Sequence, residues 1–241
     1  MTIPMRVGEI LEGAFYMCAN LAEVTFEEES RLTTIRADTF YECRNLASIC
    51  LPEGLKNIES NVFCGCKRLK SVWLPDGLAK IGVECFQCSG LEEVALPVSV
   101  REVGAWAFFD CKQLKSVWLN DGLESLGARA VTDEGEYEGH VFAESAVESV
   151  RLPPTLKRIE AGTFEGCDNI RKVEIPDGAE LIGKSCFENS GIEEVSLPGT
   201  LRKVDKNALR YCLNLKTVWA EGSWTTDIVE YVGKGVEVKS K

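Results

Sequence analysis

Cys64-x-Cys66 and Cys85-x-x-Cys88 bring four thiols into close succession, and paired thiolates are what a tetrahedral zinc site is made from. A competing demand falls on the same residues. Cys66 shares a recurring sequence place with Cys18, Cys43, Cys111, Cys167 and Cys212, and Cys85 shares another with Cys186. Those thiols are expected to fill the core as small apolar groups, so no metal ligand is assigned. The total of 11 cysteines is odd and tied to repeated places, which suggests a reducing compartment over a disulfide framework. Cys50 faces outward on its strand and could be reactive. The single histidine, His140, has no nucleophile that the sequence pairs with it, and there is no Gly-rich phosphate loop, G-x-S-x-G or H-E-x-x-H. No catalytic residue and no cofactor is expected, and the chain does not read as an enzyme.

The elements that position these residues come from a repeat. Leu69-Lys-Ser-Val-Trp-Leu74 and Leu114-Lys-Ser-Val-Trp-Leu119 are identical, and degenerate copies of the hexapeptide run the length of the chain. Phe15, Phe40, Phe63, Phe86, Phe108, Phe142, Phe164, Phe187 and Leu209 mark nine units, at spacings of 25, 23, 23, 22, 34, 22, 23 and 22. Five residues before each anchor stands Ile or Val, as in Ile35, Ile58 and Ile81, a place the sixth unit loses to an insertion. Three residues after the anchor comes Cys or Ser. Within the hexapeptide Val72 and Leu74 are two apart and Ser71 and Trp73 point the other way, the period of a strand. The Pro after most copies ends the pairing, and Asp76-Gly77 or Glu53-Gly54 turns the chain. Each unit therefore reads as strand, turn, short extended return and corner.

One unit cannot bury its own apolar residues, so neighbouring units must stack into a solenoid with a parallel sheet on its concave side. The fold class is an α/β-type solenoid, mostly β, over 1–220, with a C-terminal cap and tail over 221–241. Ser89, Ser145 and Ser190 replace Cys in the fourth, sixth and eighth units, so from the third unit on the types alternate. The long spacing hides 34 − 23 = 11 extra residues near 132–140, an acidic stretch read first as a solvated loop and second as a partner-binding finger.

Leu69 to Cys88 resembles, nearly place for place, the repeat L-x-x-I-x-L-P-x-x-L-x-x-I-x-x-x-A-F-x-x-C of the BspA-like leucine-rich repeats, and the resemblance covers about Ile3 to Ala220. It implies a right-handed leucine-rich repeat superhelix of about nine 22–23-residue units, in a family whose members mostly bind proteins or act as adhesins.

Function should then lie on the outward strand positions, where the fold makes no demand. The place between the last two apolar residues of each strand holds Thr25, Cys50, Trp73, Ala95, Trp118, Arg151, Glu174, Ser196 and Trp219. Tryptophan is enriched in binding hot spots. Trp73 and Trp118 with Ala95 between them outline a slot rimmed by Glu93 and Arg151, with Trp219 further along, to grip an aromatic, proline or cationic side chain of a partner. The leading expectation is a protein-binding scaffold; a cell-surface adhesin or carbohydrate-binding module and a structural subunit of a larger complex are the alternatives. The net charge of −11 disfavours nucleic acid and anionic lipid and favours a basic or neutral protein partner. No run reaches the length of a membrane span, and residues 1–15 lack a secretory signal pattern, so an intracellular place is expected before a cell-surface one. The repeat begins part-way through a unit without a cap, which suggests a longer array or a complex.

Overall fold

The Val-x-Leu alternation of each hexapeptide becomes a short parallel strand whose apolar residues turn inward. Successive strands pair in sequence order: Thr2–Ile3, Glu23–Phe26 and Ser48–Ile49 form one sheet, and Glu93–Ala95, Ser116–Trp118 and Ser149–Val150 a second. Lys172–Glu174, Glu194–Leu197, Thr217–Ala220 and Glu237–Ser240 form a third. A parallel bridge between Cys50 and Trp73 carries the first sheet one coil further. These strands make the first ladder of the computed structural model, which describes residues 1–128, 130–132 and 135–241.

The expected extended return is itself a second parallel ladder. It runs through Thr34–Ile35, Asn57–Ile58, Lys80–Ile81, Glu102–Gly104 and Ser125–Ala128, then through Arg158–Ile159, Leu181–Ile182 and Lys203–Val204. Its cause is the buried Ile or Val of each unit: backbone drawn in beside such a residue must find hydrogen-bond partners, and the next coil supplies them. The molecule is a parallel β-solenoid of about ten turns with little helix.

Between the ladders runs the anchor stack. Eight phenylalanine rings from Phe15 to Phe187 lie one above another, with centroids 5.2–5.8 Å apart and planes within 15°, an offset-stacked spacing that adds to the burial of each ring. The corners around them are built on left-handed backbone. Asp38, Trp106 and His140, two residues before their anchors, and Glu42, Asp110 and Glu144, two after, all have φ between 52° and 60°. Such a conformation costs a non-glycine residue on the order of 1 kcal/mol. In return each aims its N–H at the next coil: Asp38 at the Ser60 carbonyl, 3.0 Å, Glu42 at Cys64, 2.8 Å, and Glu144 at Glu165, 2.7 Å.

The insertion is absorbed without a break in the stack, Phe108 and Phe142 lying 5.5 Å apart. Gly127 and Gly139 form its neck, with φ of 86° and 67° and the Gly139 N–H 2.9 Å from the Gly127 carbonyl. A Cβ on Gly139 would come within 1.9 Å of the Ala161 carbonyl oxygen, so the neck requires glycine. The sixth unit does keep its aliphatic: Leu126 pairs with Val103 and is buried, which corrects the loss expected from the sequence. The extra residues enter after that place, not before it. The expected solvated loop includes an antiparallel hairpin, Ala130–Thr132 with Gly135–Tyr137; Asp133 and Glu134 lie outside the described residues. At the other end Trp224–Asp227 is a single helical turn. Trp224 buries its ring and donates Nε1–H to the Leu201 carbonyl at 3.0 Å. The chain then returns as Glu237–Ser240, one more rung of the first ladder.

Candidate functional site

The cysteine places are structural. After the first unit, each thiol three residues after an anchor donates to the carbonyl of the preceding unit's phenylalanine: Cys43 to Phe15 at 3.1 Å, Cys66 to Phe40 at 3.3 Å, Cys111 to Phe86 at 3.1 Å, Cys167 to Phe142 at 3.0 Å and Cys212 to Phe187 at 2.9 Å. The serines of alternate units meet these thiols from the same preceding coil as the carbonyl, Ser89 against Cys111 at 3.4 Å and Ser145 against Cys167 at 3.6 Å. The four thiols with zinc-like spacing turn to separate partners. Cys64 faces Gln87, Cys66 faces the Phe40 carbonyl, Cys88 faces Asp110 and Cys85 is wholly buried. Burial pushes Cys43 up to about 11 and Cys64, Cys111 and Cys167 up to about 12, because a thiolate there would lose its hydration. Cys50 is exposed.

His140 belongs to the insertion's neck. Its ring stacks on Trp106 with centroids 4.7 Å apart, its Nδ1 lies 2.9 Å from the Glu138 carbonyl and its Nε2 lies 3.3 Å from a Glu165 oxygen. Gly162 beneath it leaves room for the ring, which a Cβ would meet at 2.2 Å.

The outward positions of the first ladder are where side chains remain unused. Val94 and Leu96 point inward and are buried, which leaves Ala95 on the outer face; Val117 and Leu119 do the same for Trp118. Trp73 and Trp118 are 53% and 55% exposed, although each stands on a ladder of paired backbone. Ala95 pairs in register with Trp118, and Cys50 bridges Trp73 from the coil before. A pocket of about 220 Å³ opens between Trp73 and Ala95, walled by Leu96 and Pro97 and bordered by Asp76. Glu93 is exposed on the strand of Ala95, two residues earlier and on the same face.

Arg151 follows Val150, which pairs with Val117, so it stands one coil beyond Trp118. Its guanidinium is turned to Asp121 at 2.6 Å. Trp219 is three coils further on, half-buried, with the Lys239 ammonium 5.4 Å from its ring centroid. The structure therefore groups Trp73, Ala95, Trp118, Glu93 and Arg151 on consecutive coils and sets Trp219 apart.

Sequence reasoning passed over two residues. Asp76 was read only as a turn residue, and its place at the pocket's border follows from the fold of that turn. Lys239 was assigned to a basic tail, although Val236-x-Val238 carries the strand period that marks another rung. Beyond Arg151 a second pocket, about 530 Å³, is lined by Lys172, Glu174, Asp177 and Lys241. There the Lys172–Glu174 ion pair, 3.0 Å, holds the glutamate below the usual carboxylate range through its hydrogen bond.

A family model described as "BspA type Leucine rich repeat region (6 copies)" matches residues 1–115 and 135–235. Among solved structures, a leucine-rich repeat protein from Bacteroides ovatus superposes with a TM-score of 0.77 at 22% identity, covering 100% of this chain and 71% of that one. The leucine-rich repeat protein of T. pallidum superposes with a TM-score of 0.55 at 30% identity, over 78% of this chain and 75% of that one. No curated protein sequence matches significantly.

Proposed function

The chain belongs to the BspA-type leucine-rich repeat family, and from that premise we propose that it is a protein-binding scaffold that engages its partner along the outer face of the first ladder. The observation that carries this reading is the pair of indoles, Trp73 and Trp118, held more than half exposed on a ladder whose inward residues pack into the core. Large aromatic surface left in water has a hydrophobic cost that contact with a partner recovers, and a rigid ladder loses little entropy in presenting it. Ala95 separates the two rings and Glu93 and Arg151 flank them, so one apolar strip is bordered by both signs of charge.

The test uses peptides selected from a random library on the immobilised chain, then synthesised and measured singly. Replacing both Trp73 and Trp118 by Ala should weaken the selected peptides by about tenfold or more. The same double variant should melt within about 2 °C of the parent, since exposed side chains contribute little to stability. Peptide affinity unchanged in the double variant would reject this face as the binding site.

A further inference from the structure

Trp219 shows, within the chain itself, how an indole on this face is covered. Lys239 stands opposite it in register on the next strand, with its ammonium 5.4 Å from the ring centroid and 2.8 Å from the Glu237 carboxylate. Trp73 has the same place on its own coil but a different surrounding. The coils on either side put Cys50 and Ala95 beside it, neither of which can reach over the ring, and the pocket of about 220 Å³ opens where a longer side chain would lie. The wall offers an indole, Leu96 and Pro97, and the border offers Asp76. Elsewhere on the molecule acidic residues pair with cations of a neighbouring coil, as Glu92 does with Lys70 at 2.9 Å and, on the second ladder, Glu102 with Lys80 at 2.7 Å. Among the described residues the carboxylate of neither Asp76 nor Glu93 has an ion-pair or hydrogen-bond partner. Lys56 brings its ammonium beside Gly77 without forming an ion pair with Asp76, and Arg151, the cation of this row, is occupied by Asp121.

We propose, resting on the reading that this face binds a partner, that the pocket between Trp73 and Ala95 receives a lysine side chain of a protein partner. The methylene stem packs on the indole, Leu96 and Pro97, and the ammonium sits over the ring toward Asp76 and Glu93, as Lys239 sits over Trp219 beside Glu237. The net charge of −11 draws a basic segment toward this face and makes its capture salt-dependent.

The experiment compares each selected peptide with a version in which its lysine is replaced by norleucine, which keeps the stem and removes the charge. The norleucine peptide should bind about tenfold more weakly, and the advantage of lysine should shrink as salt is raised. In the double variant Asp76→Asn with Glu93→Gln, which preserves shape and keeps the indole, the preference for lysine should shrink to the roughly two- to fivefold that the ring alone supplies. Peptides that depend on Trp73 and Trp118 yet contain no lysine, or whose norleucine versions bind equally, would overturn this inference and leave the binding face standing. Peptides indifferent to the tryptophan substitutions, or no peptide captured at all, would overturn both.

Discussion

A thiol at the corner of a coil does two things at once: it fills a buried place as a small apolar group, and it gives a second donor to a phenylalanine carbonyl that already accepts one backbone N–H of its own coil. Cys111 and Cys167, each also met by a serine, are held in the protonated form by burial, which raises them from an ordinary 9.0 to about 12. The sign of the linkage follows. The folded state keeps protons that the unfolded chain releases, so this contribution is complete below about pH 9 and is lost as pH climbs toward 12. Urea unfolding followed from neutral to alkaline pH should show a midpoint that falls steeply above about pH 9. With Cys111→Ala and Cys167→Ala combined, that alkaline slope should become shallower even though the variant starts less stable; an unchanged slope would assign the effect to other groups. The sequence made these thiols legible as core residues because they recur in phase. It could not show their acceptors, since a carbonyl carries no side-chain signature.

At the scale of the coil, the Phe stack fixes where insertions are allowed. Its ring spacing leaves no room for another side chain between stacked rings, whereas the bend between the second ladder and the corner lies at the surface. The neck Gly127–Gly139 brings the ends of the insertion within one hydrogen bond, 2.9 Å, so deleting residues 128–138 and joining the two glycines restores the ordinary unit. That deletion should leave cooperative unfolding intact, with a melting temperature shifted by no more than about 4 °C. Loss of the unfolding transition would show instead that the hairpin holds the coils together. The 11 extra residues were visible as a spacing of 34 and placed near 132–140, but the neck through which they leave and rejoin the coil, Gly127 and Gly139, was not. Leu123-x-x-Leu126 satisfies the repeat as well as any other unit does, and the jump to Gly139 is evident only when the backbone closes on itself. The second ladder was hidden for a related reason: strands such as Thr34–Ile35 and Asn57–Ile58 are two residues long, too short to display a period.

Across the whole molecule, each coil touches only its neighbours, so stability is a sum of coil and interface contributions and the ends are the weak points. At the C-terminal end Trp224 and Ile228 are buried, and the last rung, Glu237–Ser240, pairs along Thr217–Ala220. Trp224→Ala should cost about 3 kcal/mol locally and speed amide exchange in 217–240 while leaving 34–118 as protected as before. Uniform loss of protection along the chain would contradict the one-dimensional account. Such fraying would also uncover Trp219, whose ring Lys239 covers only while the last rung is paired. The sequence by itself determined the repeat, its parallel stacking and which residues enter the core, because burial selects apolar side chains at a fixed period and writes that period into the chain. The tertiary structure alone decided that Trp73 has an open pocket while Trp219 is covered, that Arg151 turns to Asp121 and that Asp76 borders the indole. Those outcomes depend on which residues of different coils come level with one another, and on an exposed face no periodic constraint records that meeting.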